Sequence, residues 1–173
     1  MPLPDIPPLL DAMVADLETI IDEHGLDRQR LALVGIHTGG VWIADVLHRR
    51  LALPTTLGAL DIGFWRDDFG HQGLPEAIRS SHLPFEVDER DLVLVDDVVM
   101  SGRTIRAALN ELFDYGRPRR VLLAALISLP GRELPVQPDV CGAHLDLPAG
   151  ERVKLSGPEP LSLSLVTQTR ETS

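Results

Sequence analysis

Residues 92–104 read LVLVDDVVMSGRT, and this stretch constrains the fold more than any other part of the chain. The apolar run Leu92–Val95 predicts a strand that ends at two adjacent carboxylates, Asp96 and Asp97. A turn at 100–104 follows and leads into a helix with one apolar face. That face consists of Ile105, Ala108, Leu109 and Leu112. A strand, a small-residue turn and a helix N-terminus in this order form an anion site, because they present backbone N–H groups that lack partners within the helix.

The chemistry of this stretch narrows the class of ligand. Several backbone N–H groups can converge on one phosphate, and the hydroxyls of Ser101 and Thr104 add donors. Asp96 and Asp97 cannot bind the phosphate themselves, so we expect them to bind sugar hydroxyls or a divalent cation. A ribose 5-phosphate with a magnesium-bound leaving group meets all of these demands. An Asp-Asp pair alone usually marks a solvated turn, but the serine-glycine turn and the amphipathic helix favour the ligand site.

The remaining sequence alternates between helical and strand patterns. A first helix is predicted from Pro7-Pro8 to Gly25, and a second begins after the turn His37–Gly40. Strand-like sequence occurs at 31–36, 55–64 and 121–127. The apolar stripes contain Leu10, Met13, Val14, Leu17 and Ile21 in the first helix and Ile43, Ala44, Leu47 and Leu51 in the second.

This alternation predicts an α/β fold with a mostly parallel central sheet flanked by helices. With 173 residues and 44% hydrophobic content, we expect one domain over 1–173. The weakly periodic segment 66–84 is the candidate for a flexible loop, and the proline- and glycine-rich segment 128–160 is predicted to form a small lobe of short strands. Ligands of such folds bind at the carboxyl ends of the strands, where the turns 37–40 and 96–104 both fall.

Composition excludes several classes of site. A single cysteine, Cys141, rules out an internal disulfide and fits a reducing compartment, so we predict a cytoplasmic protein. The six histidines show no metal-ligand spacing, so we expect no metal held by protein side chains alone. No apolar run approaches the ~20 residues that span a bilayer, so no membrane partner is expected. The net charge of −10 repels nucleic acid unless a local basic patch is present.

The 92–104 stretch resembles the phosphoribosyl pyrophosphate (PRPP) signature of the type I phosphoribosyltransferases. Four blocks sharpen the resemblance: VGIHTGGVWIADVLHRRL (34–51), GALDIGFWRDDF (58–69), LVLVDDVVMSGRTIRAALNELFDYGRP (92–118) and GRELPVQPDVCG (131–142). In this order they are similar to the PyrR family, the pyrimidine-operon attenuation regulators that are also uracil phosphoribosyltransferases. The resemblance implies the type I phosphoribosyltransferase fold, a small hood lobe, and conversion of uracil and PRPP to UMP and pyrophosphate with Mg²⁺.

The resemblance also implies roles for residues of this chain. Thr38, Gly39 and Gly40 would bind pyrophosphate, while Asp96 and Asp97 would hold the ribose hydroxyls and count as catalytic together with Arg66. The substrate-binding residues of the second turn would be Val98, Val99, Met100, Ser101, Gly102, Arg103 and Thr104, the last five around the 5-phosphate and Val98 against the base. Arg66 either meets the leaving pyrophosphate from a closing loop or forms a surface pair with a neighbouring aspartate. Mg²⁺ would be held mainly by PRPP.

The chain departs from the family pattern in both turns and in the segment after the strand-like sequence 121–127. Gly39 replaces the arginine of a Thr-Arg-Gly turn, Met100 replaces a tyrosine, and Ser128–Gly131 replaces Asp-Arg-Gly-His. Three hypotheses follow. We favour a working uracil phosphoribosyltransferase; the others are a UMP- and PRPP-sensing, RNA-binding regulator with vestigial catalysis, and a phosphoribosyltransferase for another base.

RNA is the partner that the resemblance implies and the sequence disfavours. Arg132 is the candidate RNA-binding residue, but Gln137 and Ala143 stand where the family has basic residues. The first helix carries acids that would repel phosphates: Asp11, Asp16, Glu18, Asp22 and Glu23. We therefore expect weak or absent RNA binding. The resemblance further implies a homodimer or larger homo-oligomer, which exposed apolar residues at 121–127 and on the first helix would not contradict.

Overall fold

The computed structural model describes residues 1–63 and 81–167, and within them it shows three α-helices and seven β-strands. In chain order they are α1 (Ile6–Glu23), β1 (Leu31–Ile36), α2 (Gly39–Leu51), β2 (Gly58–Leu60), β3 (Asp91–Val99), α3 (Arg103–Asp114), β4 (Arg120–Ser128), β5 (Val140–His144), β6 (Glu151–Ser156) and β7 (Ser162–Thr167). The predicted alternation of strands and helices is confirmed.

Five strands form one parallel sheet in the order β2-β1-β3-β4-β5. β1 and β3 are neighbours, with Leu31 opposite Asp91 and Gly35 opposite Val95. Because parallel strands end at the same edge of the sheet, the turns that follow β1 and β3 emerge side by side. This confirms the expected convergence of the two turns.

Both faces of the sheet are covered, which explains the uniformly apolar strands. Leu31 and Leu33 pack with α1 and α2 in one core cluster, whereas Ala32 and Val34 pack with α3 in the other. The predicted helical stripes are confirmed, with Val14 and Leu109 only partly buried at their margins. The buried members are Leu10, Met13, Leu17 and Ile21 in α1, Ile43, Ala44, Leu47 and Leu51 in α2, and Ile105, Ala108 and Leu112 in α3.

Strand boundaries and exposure differ from the sequence prediction at three places. β2 spans only three residues of the strand-like stretch 55–64. β3 continues past Val95 to Val99, with Asp96 opposite Ala125 of β4, because backbone pairing carries on where the side chains turn polar. The apolar stretch 121–127 was expected to be exposed, but residues 123–127 of β4 are buried, because the two core clusters cover both faces of the sheet there.

The segment predicted as a separate lobe divides between two sheets. β5 joins the central sheet by pairing with β4, so the prediction for 128–160 was wrong in that part. β6 and β7 form a separate antiparallel hairpin that ends at Thr167. Leu155 of this hairpin is buried in the cluster that contains α1 and α2, and Trp42 of α2 packs against the same cluster. The hairpin therefore packs against α2, the helix that begins after the turn that follows β1.

Most of the predicted flexible loop, 66–84, lies outside the described residues, together with Arg66. Its described end is fixed to β2, because Ala59 and His82 exchange two backbone hydrogen bonds of 2.8 Å. Within 1–63 and 81–167, no helix is long and apolar enough to cross a bilayer.

Candidate functional site

The turn between β1 and α2 approaches the end of β3 so closely that a side chain at Gly39 or Gly40 would displace neighbouring atoms. A Cβ at Gly40 would lie 3.1 Å from the Cα of Asp96, and one at Gly39 would lie 2.7 Å from the Cγ of Asp97. Only glycine permits this approach at both positions. The Thr38-Gly39-Gly40 turn and the acidic pair, 56 or more residues later in the chain, are thus in direct contact.

The two carboxylates have different surroundings. Asp96 is only 5% exposed, and its Oδ1 accepts a hydrogen bond of 2.9 Å from the N–H of Asp97. Asp97 is half-buried, and its Oδ1 accepts a hydrogen bond of 2.9 Å from the N–H of Val98. These local bonds fix the orientation of each carboxylate. The Oδ2 atom of Asp97 faces Gly39. Asp97 is therefore the carboxylate that can meet a ligand between the two turns, and Asp96 is largely enclosed.

Two helices begin at this edge, and both have N-termini suited to anions. Within the described residues, the side chain of Thr38 does not cap α2, and Gly102, which precedes α3, has no side chain that could cap it. Neither helix has an acidic residue in its first turn. The first N–H groups of a helix lack intrahelical acceptors, and the helix dipole adds positive potential there. Gly102 has φ +91°, a conformation that favours glycine. The site thus offers two anion positions, with Asp97 beside the first and three residues before Met100, where the second turn begins.

The turn at 100–102 is held from behind by the segment 129–136. The carbonyl of Ser101 accepts hydrogen bonds from the N–H groups of Glu133, at 2.9 Å, and Leu134, at 3.1 Å. Arg103 forms an ion pair with Glu133, with Nε 2.6 Å from Oε2. Both side chains are at least half exposed, so the pair contributes only about 0–1 kcal/mol. Glu133 lies in the GREL block, whose sequence marks the family resemblance but does not by itself predict this ion pair.

Most of the predicted site residues gather at this edge, but not all of them face it. Val98 is half-buried and packs against the α1–α2 side of the core, whereas the side chain of Val99 is 2% exposed within the other core cluster. Met100 is 52% exposed. The hydroxyl of Ser101 accepts a hydrogen bond of 3.2 Å from the N–H of Arg103, which tightens the turn. Their contacts with ligands stay predictions.

The acids at this edge fit a metal only in partnership with a ligand. The described residues contain no group of three or more His, Cys, Asp or Glu side chains that could hold an ion. Asp96 and Asp97 supply two carboxylates, one of them enclosed. Mg²⁺ commonly binds through one or two carboxylates together with water and substrate phosphates. The donor set therefore fits Mg²⁺ carried mainly by a diphosphate.

Comparison with known proteins places this geometry among related chains. The family model described as "Phosphoribosyl transferase domain" matches residues 5–144, a range that includes both turns. A protein named "Bifunctional protein PyrR" from Pseudomonas aeruginosa is 56% identical over 163 residues, which cover 94% of this chain and 95% of that protein. The protein of the same name from Pseudomonas syringae pv. syringae is 53% identical, with 95% and 96% covered.

Solved structures of phosphoribosyltransferases share the fold. A hypoxanthine-guanine phosphoribosyltransferase from Bacillus anthracis has a TM-score of 0.65 at 15% identity and covers 83% of this chain and 82% of its own. The hypoxanthine phosphoribosyl transferase of Trypanosoma cruzi has a TM-score of 0.63 at 18% identity, with 83% and 76% covered. At such identities the likeness concerns the fold alone.

Proposed function

The chain belongs to the PyrR family of phosphoribosyltransferases, and we propose that it transfers the ribosyl 5-phosphate of PRPP to uracil and releases pyrophosphate. The predicted family and the type I phosphoribosyltransferase fold are confirmed by the near full-length identities and the family model. Uracil as the acceptor is the finer part of the proposal. It is supported by the family resemblance of the four sequence blocks, of which 34–51 and 92–118 build the two turns.

One observation carries the proposal: Asp97 lies against the N-terminus of α2, while β3 runs on from it to the N-terminus of α3. A ligand that fits this arrangement has two anionic groups with hydroxyls between them. PRPP has this form, since its diphosphate and 5-phosphate flank the 2′- and 3′-hydroxyls. The α2 terminus would take the diphosphate and the α3 terminus the 5-phosphate.

The reaction breaks the bond between C1 of the ribose and the pyrophosphate oxygen, forms a bond from C1 to N1 of uracil, and releases the N1 proton. Positive charge builds up at the ribosyl centre as the leaving group departs. The chain's contribution is positioning and charge stabilisation: amides of Gly39 and Gly40 face the leaving pyrophosphate, and Asp97 holds the ribose hydroxyls. Bound with the diphosphate and supported by Asp97, Mg²⁺ would neutralise part of the negative charge of the leaving group.

Two assignments from the family resemblance remain part of the proposal. Arg66 would face the leaving pyrophosphate. It would supply a positive charge there, because Gly39 stands where members of the family have an arginine. Val98, half-buried at the end of β3, would pack against the base. Closure of the segment around Arg66 would exclude water and limit wasteful hydrolysis of PRPP.

A base panel tests the proposal. The protein is incubated with PRPP, Mg²⁺ and, separately, uracil, cytosine, hypoxanthine or guanine, and the nucleotide product is identified by mass spectrometry. We expect UMP from uracil and little product from the other bases. Asp97→Asn should reduce UMP formation, whereas Asp22→Asn, the same charge change on the exposed face of α1, should not. Product from a purine alone would contradict uracil specificity, and no product from any base would contradict the catalytic proposal.

RNA binding is the second activity that the family resemblance implies, and we propose that it is weak in this chain. The acids of α1 at positions 11, 16, 22 and 23 are exposed, so α1 presents negative charge to any phosphate backbone. Binding to the cognate leader RNA, titrated over salt concentration with and without UMP, tests this. Tight, salt-sensitive binding that depends on UMP would favour the sensor hypothesis instead.

A further inference from the structure

Arg132 donates hydrogen bonds to five acceptors at the carboxyl edge of the sheet. Its Nε donates to Val136 O at 2.8 Å, its Nη2 to Ser128 Oγ at 2.8 Å, and its Nη1 to the carbonyl oxygens of Leu129 at 3.0 Å, Val99 at 3.4 Å and Met100. All five acceptors are neutral oxygens, so these bonds leave the guanidinium charge in place behind the turn. The planar fork of arginine can reach several carbonyls at once, which a lysine ammonium cannot do in the same geometry.

The bonds of Arg132 complete a pattern in which four consecutive carbonyls are occupied. Val99 O also accepts from the N–H of Leu129 at 2.8 Å, and Ser101 O accepts from the segment 133–134. Gly102 O accepts from the N–H of Arg106 at 3.0 Å, the first bond of α3. In a trans peptide the C=O and the following N–H point in opposite directions. Drawing the carbonyls of 99–101 toward 129–136 therefore turns the N–H groups of 100–102 toward the opposite side, where the ligand would lie.

We propose that Arg132 is a positioning residue for the 5-phosphate: it fixes the carbonyls of the turn so that the amide N–H groups converge on the phosphate. This inference rests on the proposed function, because the phosphate is that of PRPP or UMP. Gly102 supports it, since its tight packing against Val136 and Leu134 presses the turn onto the same segment. Arg132 also donates hydrogen bonds to Ser128 and Leu129 at the end of β4. It therefore connects the turn at 100–102 to the segment 128–131, which departs from the family pattern.

This role competes with the RNA contact predicted for Arg132. A guanidinium with all three nitrogens bonded to the chain would have to give up those bonds to reach an RNA phosphate. If Arg132 positions the turn, replacing it should lower the affinity for UMP. If Arg132 contacts RNA instead, the affinity for UMP should not change.

The test compares Arg132→Gln and Arg132→Lys with the wild type, using UMP and uridine as paired ligands that differ only in the phosphate. Arg106→Gln is the matched control, because Arg106 is an exposed arginine on α3, the helix that follows the turn. For Arg132→Gln we expect UMP affinity to fall at least tenfold and uridine affinity to change less than twofold. The KM for PRPP should rise in parallel, with a smaller change in kcat. Arg132→Lys should recover part of the loss, and Arg106→Gln should bind UMP within threefold of the wild type.

Three results would overturn the inference. Wild-type UMP affinity in Arg132→Gln would remove Arg132 from the phosphate site, and equal losses for UMP and uridine in both variants would show a general structural role. Loss of RNA binding with unchanged UMP affinity would favour the RNA contact. If Arg132→Gln fails to fold, Arg132→Lys carries the test through the same UMP-to-uridine ratio. A wild-type protein that binds neither PRPP nor UMP would contradict the proposed function itself, and with it this inference.

Discussion

Replacing Gly39 with alanine should remove most of the activity while leaving the protein folded. The new Cβ would lie 2.7 Å from the Cγ of Asp97 and 3.0 Å from its Cβ, closer than atoms approach without displacement. Asp97 is a short side chain at a partly open site, so its carboxylate can rotate away, and the remaining 3.0 Å contact with its Cβ needs a backbone shift of only a few tenths of an ångström. Gly40→Ala differs, because its Cβ would meet the backbone of β3, including Asp96 Cα at 3.1 Å, which cannot rotate.

The effect on stability should be small because two contributions offset each other. Alanine is favoured over glycine by roughly 0.5–1 kcal/mol in a helix interior, and by less at Gly39, which is the first residue of α2. Rotation of Asp97 breaks the 2.9 Å hydrogen bond from Val98, at a cost of about 0.5–1.5 kcal/mol. The net change corresponds to a Tm shift within about 4 °C for a chain of this size. Losing a hydrogen bond between the ribose and a charged carboxylate costs about 1.5–3 kcal/mol, which is about 10- to 150-fold in kcat/KM.

A double-mutant cycle with Asp97→Ala tests whether Gly39 acts through Asp97. The assay measures kcat/KM for PRPP and the Tm of the wild type, Gly39→Ala, Asp97→Ala and the double variant. Once the carboxylate is gone, the added methyl group has no side chain to displace, so Gly39→Ala should then change kcat/KM less than about threefold. Fully additive losses, or wild-type activity in Gly39→Ala, would refute the contact as the source of the constraint.

Three further predictions follow from single sites. Asp97→Asn should lower kcat/KM at least about tenfold, with Tm nearly unchanged, because it weakens a charge-assisted hydrogen bond; unchanged kinetics would remove Asp97 from the ribose site. Leu47→Ala should lower the free energy of unfolding in urea by about 2–5 kcal/mol, since Leu47 is fully buried between α2 and the sheet; a loss below about 1 kcal/mol would argue against that packing. Burial raises the pKa of the Cys141 thiol, so thiolate is scarce at neutral pH and iodoacetamide should label the native protein more slowly than the urea-unfolded chain; equal rates would contradict this.

The predictions of helices, strands and buried residues were most accurate where the local sequence pattern and the long-range packing agree. The helical stripe of α1, including Leu10 and Leu17, and the apolar run of β1 are buried as expected, because one side of each helix and both sides of the strand face the core. The meeting of the two turns was predictable for the same reason. Glycines 39 and 40 and the acids 96 and 97 lie near the strand-to-helix junctions of two neighbouring βα units, so a parallel sheet brings them together.

The features that the sequence did not predict share a cause: strand pairing and side-chain contacts depend on partners far along the chain. β5 reads VCGAH, too short and too mixed to predict as a member of the central sheet, yet it pairs with Ala124–Ser128 of β4. Pairing with β4 likewise carries β3 through the acids to Val99. Nor does local sequence reveal that Glu133 would reach Arg103, 30 residues away, or that Arg132 would bond Val99 and Met100. Such contacts depend on how the 129–136 segment returns to the sheet edge.

Calorimetric titration of PRPP with Mg²⁺ tests the central claim most directly, namely that a phosphoribosyl ligand binds between the turns after β1 and β3. We predict saturable binding by the wild type that is weakened at least about tenfold in Asp97→Asn and unchanged in the control Asp22→Asn. No detectable binding by the wild type, or equal binding by Asp97→Asn, would contradict it.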